Sequence, residues 1–91
     1  MRRLLVVEET FNIRGRGVIV APFLDAGEAR REKFAVELRK PNGEMVRVMA
    51  FAQIPFITPT PPTPQTHLAL LGVSKEDVPI GTEVWAVDHE P

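Results

Sequence analysis

The stretch that decides the fold is Phe34-Ala35-Val36-Glu37-Leu38-Arg39-Lys40-Pro41-Asn42-Gly43-Glu44-Met45-Val46-Arg47-Val48-Met49-Ala50-Phe51-Ala52-Gln53-Ile54. Its first six residues alternate. Phe34, Val36 and Leu38 fall on one face of an extended chain and Glu37 and Arg39 on the other, the signature of a half-buried strand. An Asn-Gly pair then separates two alternating runs, the strongest short-range signal for a hairpin. Residues 45–54 are the return strand, with Val46, Val48, Ala50, Ala52 and Ile54 inward and Met45, Arg47, Met49, Phe51 and Gln53 outward. Met49 and Phe51 make that outer face unusually apolar, so they either cover a neighbouring loop or mark a contact surface.

Towards the start of the chain, residues 4–11 are rich in branched and aromatic side chains and give way at 12–17 to a turn. Val18-Ile19-Val20-Ala21 returns as a second strand, whereas residues 22–33 show no period of two and read as a loop. Towards the other end, five of the nine prolines fall in residues 55–64, where missing donors and fixed φ oppose regular pairing, so a stiff loop is expected at 55–65. His67-Leu68-Ala69-Leu70-Leu71 is a further strand. Ser74-Lys75-Glu76-Asp77 has the spacing of a capping box and predicts one helical turn near 75–78. Residues 82–87 form a last strand carrying Trp85. Six short strands without a long helix predict an all-β barrel or sandwich, in a single domain over residues 1–91.

Ninety-one residues bury only about 60–65% of the surface exposed on unfolding, which leaves room for a core but little for a deep catalytic cleft. Eleven basic side chains nearly cancel twelve acidic ones, so bulk charge does not draw this chain to nucleic acid. The absence of cysteine excludes disulfides, thiolate chemistry and cysteine-based zinc sites. The apolar run after Met1-Arg2-Arg3 ends at Glu8 after four residues, too short for a signal peptide, and no run of about 20 apolar residues exists to cross a membrane. A cytoplasmic protein without membrane contact is expected.

Two segments carry a family likeness. Val7-Glu8-Glu9-Thr10-Phe11-Asn12-Ile13-Arg14-Gly15-Arg16-Gly17-Val18-Ile19-Val20 resembles the strand, Gly-Arg-Gly turn and return strand of the second, β-barrel domain of translational GTPases such as elongation factor Tu. Leu68-Ala69-Leu70-Leu71-Gly72-Val73-Ser74-Lys75-Glu76-Asp77-Val78-Pro79-Ile80-Gly81-Thr82-Glu83-Val84 is similar to that domain's closing strand, acidic turn and final strand. The resemblance implies a small six-stranded barrel, closed or nearly closed, of the translation-factor type. Gly15, Gly17 and Gly81 supply the positive φ that its tight connections need. In the family this barrel packs on the GTPase domain and, in elongation factor Tu, helps hold the aminoacyl end of transfer RNA. Glu8, Glu9 and Phe11 occupy positions matching that pocket, but Val18 and Ala21 stand where threonine is usual, and Thr66 and His67 stand around the usual asparagine. No Gly-x-x-x-x-Gly-Lys-Ser/Thr phosphate loop occurs, so no nucleotide is expected.

Candidate chemistry is sparse. Ser74, the sole serine, is explained as a helix cap, and Glu8 and Glu9, adjacent on a strand, face opposite ways and cannot share a proton. The two histidines, His67 and His89, lack a convergent ligand set, so neither a catalytic residue, a metal nor a cofactor is expected. Arg14 and Arg16 flank a turn, read first as solvated and second as a basic edge beside Phe11 for single-stranded RNA. Pro59, Pro61 and Pro62 stiffen a loop and offer a polyproline II face to a partner. Together Glu8, Glu9, Phe11, Arg14, Arg16, Met49, Phe51, Pro59, Pro61, Pro62 and His67 are the candidate partner-binding residues. The expected function is a stand-alone binding module for protein, or for RNA; the alternative is an accessory subunit packing on itself or on a larger chain through Met45, Met49 and Phe51.

Overall fold

A computed structural model describes residues 2–13, 17–25, 32–53 and 65–87, without the side chains of Ile13, Asp25, Gln53 and Gln65. Among the described residues, seven strands form one antiparallel sheet: β1 (Arg2–Val6), β2 (Glu9–Ile13), β3 (Gly17–Asp25), β4 (Phe34–Arg39), β5 (Met45–Gln53), β6 (Gln65–Leu70) and β7 (Glu83–Ala86). Their spatial order is β1-β7-β4-β5-β6-β3-β2. The β4–β5 hairpin pairs Phe34 with Ala50 through to Arg39 with Met45, in the register its alternation predicts. Its turn is closed by the Gly43 N–H donating to the Lys40 carbonyl at 2.9 Å, with Gly43 at φ +93° and the Asn42 side chain accepting from the Glu44 N–H.

The sheet curls into a half-barrel around an aliphatic core. Val18, Val20, Val36, Leu38, Ala50, Ala52, Leu68, Leu70 and Val84 are buried from the central strands, joined by Leu5, Val7 and Val78. Burial of such side chains is the main favourable term in folding. Among the described residues no aromatic ring belongs to this buried set, and Phe34 packs on its margin.

Four expectations are corrected. The six-stranded closed barrel is instead a seven-stranded half-barrel, because the first segment divides into β1 and β2, and among the described residues no ladder pairs one with the other. The division has a visible cause: a bend at Glu8 resets the alternation, so Leu5 and Val7 are buried, Glu8 and Glu9 are both exposed, and burial resumes at Thr10. Glu8 and Glu9 are therefore not turned to opposite faces of one strand. Val7 exchanges hydrogen bonds with β7's approach, its N–H donating to Thr82 and its carbonyl accepting from Gly81, each at 2.8 Å. The Glu8 N–H donates to Ala21 of β3.

Residues 22–25, read as loop, belong to β3. The β3–β6 ladder shifts register between Val20 and Leu24, and Pro22, whose preceding peptide is cis, sits inside that irregularity, where the missing donor breaks no regular pairing. Leu24 then pairs with Thr66 and is buried. The helical turn is a 3₁₀ turn over Lys75–Asp77, one residue shorter than expected. The proline-rich loop at 55–65, Ile54, Gly15 and His89 lie outside the described residues, apart from the backbone of Gln65. Among the described residues no helix is long and apolar enough to cross a membrane.

Candidate interaction face

With the core filled by residues that point inward, the alternate positions of the same strands form the outer face. Register places their side chains side by side. Phe11 of β2 pairs with Ile19 of β3, Ile19 with Ala69 of β6, and Ala69 with Phe51 of β5. Paired residues in a sheet share a face, so these four form one apolar row across four strands, about 14 Å at ~4.8 Å per strand. Lys33, just before β4, continues the row with its ammonium 5.5 Å from the centre of the Phe51 ring. The next row holds Leu71, whose N–H donates to the Met49 carbonyl, and Met49 itself, paired with Ala35 of β4. Phe11 and Met49 keep 43% and 44% of their surface in solvent, so neither is spent on the core.

On the other side of the row, His67 stacks on Phe23 with ring centroids 4.3 Å apart and planes at 25°. His67 lies two residues from Ala69 on β6, and Glu9 two residues from Phe11 on β2; buried Leu68 and Thr10 stand between each pair. Glu9, Phe11, Met49, Phe51 and His67, separated by up to 58 positions in sequence, therefore share one outer face. Glu8 is exposed beside them at the bend. Arg14, Arg16, Pro59, Pro61 and Pro62 lie outside the described residues.

Two features escaped the sequence reading. Phe23 sits in the segment read as loop, so its partnership with His67 had no strand to carry it. The second is an ionic ladder over β1, β7, β4 and β5. Glu37 accepts from Arg39 Nε at 2.7 Å and lies 3.8 Å from Arg47 Nε, while the Arg39 guanidinium rests 4.3 Å from the Trp85 ring centre. Trp85 Nε1–H donates to Glu83 at 2.8 Å, and Glu83 lies 3.9 Å from Arg3. Cross-strand pairing of Glu37 with both Arg47 and Trp85 builds this ladder. It leaves an apolar part of the outer face on β2, β3, β6 and the Met49–Phe51 end of β5, and a charged part on β1, β7, β4 and the Arg47 end of β5.

At the 3₁₀ turn, the Ser74 N–H and hydroxyl both donate to Asp77 Oδ2, at 2.9 and 3.1 Å. The backbone hydrogen bond, followed by the hydroxyl and then by the charge of Lys40, holds the Asp77 carboxyl below its ordinary range. This is a capping arrangement, and it occupies the hydroxyl of Ser74. Among the described residues, no group of three or more histidine, aspartate or glutamate side chains could hold a metal ion.

Against family models, curated proteins and solved structures, the chain finds no match.

Proposed function

We propose that this chain is a non-catalytic binding module whose apolar outer row, Phe11-Ile19-Ala69-Phe51, docks a protein partner. The row itself carries the reading: three inter-strand steps of contiguous apolar side chains, two of them phenylalanine, on a face the core does not need. Aromatic anchors on an exposed surface are the usual energetic centre of a protein interface. The near-neutral charge and the exposed Glu8 and Glu9 beside Phe11 favour protein over RNA. The half-barrel serves on this proposal as a scaffold of the translation-factor type, a kind of fold that hosts many functions.

The test compares the wild-type chain with a Phe11→Ala/Phe51→Ala variant whose circular dichroism matches it. A specific partner captured from native extract by the first and lost by the second is the expected result, with chemical-shift changes centred on Ile19 and Ala69. Identical capture by both sinks the proposal. Saturable shifts at Phe11 and Phe51 on adding transfer RNA, with no protein captured, would replace protein by RNA.

A further inference from the structure

We infer that Asn42–Gly43, at the tip of the β4–β5 hairpin, is a site of spontaneous modification, where the side-chain amide of Asn42 is lost as ammonia through a succinimide and the folded turn sets the rate. The inference is independent of the apolar outer row. Asn42 and Gly43 are both exposed, so water reaches them. Gly43 has no side chain to shield its backbone nitrogen, and a Cβ built there would meet nothing within 4 Å. The φ of +93° that the turn imposes keeps glycine, the least obstructed residue, in the place after asparagine. The pair that makes the hairpin is thus also the pair most open to cyclisation.

The chemistry balances with water as the only co-reactant. The Gly43 nitrogen gives up its proton and attacks Cγ of Asn42; that C–N bond forms as the bond from Cγ to the side-chain nitrogen breaks, and the nitrogen leaves, protonated, as ammonia. Water then opens the cyclic imide. Opening at the side-chain carbonyl gives aspartate, and opening at the backbone carbonyl gives isoaspartate, whose main chain runs through the side chain. In the folded turn both reacting groups are already held. The Gly43 N–H donates to the Lys40 carbonyl at 2.9 Å, which retains the proton that must leave. Asn42 Oδ1 accepts from the Glu44 N–H at 2.9 Å, tying the side chain to a different amide from the one that must attack. The Lys40 N–H donates to the Glu44 carbonyl at 2.8 Å and closes the turn. Cyclisation therefore waits on opening of the tip, and its rate follows the fraction of time that these bonds are broken. Asn12, the chain's other asparagine, lies in β2, paired with Val18, and is followed by β-branched Ile13, which hinders the same attack.

The test incubates the full chain at mildly alkaline pH with and without guanidinium chloride and follows amide-to-acid conversion at each asparagine by peptide mass spectrometry, with aspartate and isoaspartate separated by chromatography. In denaturant, conversion should concentrate at Asn42 and give both products. The folded chain should react at the same site roughly tenfold more slowly, the restraint expected of two ordinary turn hydrogen bonds. Pro41→Ala frees the first φ of the turn without touching the reacting pair. With unchanged circular dichroism it should speed the folded chain roughly two- to fivefold and leave the rate in denaturant as it was. Equal wild-type rates with and without denaturant, or a folded Pro41→Ala chain no faster than wild type, overturn the control by the turn. Conversion at Asn12 ahead of Asn42 overturns the site itself.

Discussion

Gly17 and Gly43 have nearly the same backbone angle, φ +96° and +93°, in very different surroundings. A Cβ on Gly43 would meet nothing within 4 Å, whereas one on Gly17 would run into the Leu70 carbonyl oxygen on the neighbouring strand. Gly43→Ala should therefore cost only the left-handed conformation, about 1 kcal/mol. Gly17→Ala adds a backbone collision and should cost roughly 2–4 kcal/mol. Urea unfolding of the two variants separates the terms, and equal losses would show that β3 and β6 part easily. Asp77 gives a residue-scale prediction in pH. Its carboxyl is held below the ordinary value of 3.8, so its contribution to stability is complete above that value and fades as pH falls through the lowered folded-state value. Asp77→Asn should differ from wild type by a constant increment at neutral pH that shrinks below about pH 4, and a gap independent of pH would contradict the Ser74 contacts.

Among the elements, β5 and β6 show how one strand divides its side chains between two tasks. Leu68 is fully buried, and Leu68→Ala should destabilise by about 2–5 kcal/mol in urea titration. Met49, almost half exposed, should tolerate alanine within about 0.5 kcal/mol. On the charged part, Arg39→Ala removes the guanidinium from the Trp85 ring and should cost about 0.5–1 kcal/mol while changing the indole emission, which a fluorescence spectrum checks directly. The hairpin of β4 and β5 was legible in the sequence because alternation and an Asn-Gly turn are local signals. The Ser74–Asp77 contact was legible for the same reason. The extension of β3 through Pro22 was not, since proline argues against a strand unless the ladder is already interrupted there, and only the β6 partner sets that interruption. Of the outer face, Phe11, Met49, Phe51 and His67 could each be singled out by type, but their adjacency depends on the order β5-β6-β3-β2, which no local pattern encodes.

At the scale of the whole molecule, the decisive region is the pair of residues between β1 and β2. Neither Val7 nor Glu8 belongs to a strand, yet their amides donate to Thr82 and Ala21 at 2.8 Å. Amide hydrogen exchange should find both protected to the level of β1 and β2 rather than exchanging like an open bend. Fast exchange at both would show that the two margins of the sheet move independently. This division is not legible in the sequence, because residues 4–11 are apolar enough to pass for one uninterrupted strand and only the displaced burial at Glu8 and Glu9 marks the break. That same bend bears on misassembly. A curled open sheet ordinarily carries two unrelated margins, each able to recruit strands from other molecules and seed fibrils. Here both margins belong to one short continuous stretch, pinned at its middle to Gly81, Thr82 and Ala21. Peeling either margin away from the sheet therefore pulls on the hydrogen bonds at Val7 and Glu8 that anchor the start of the other.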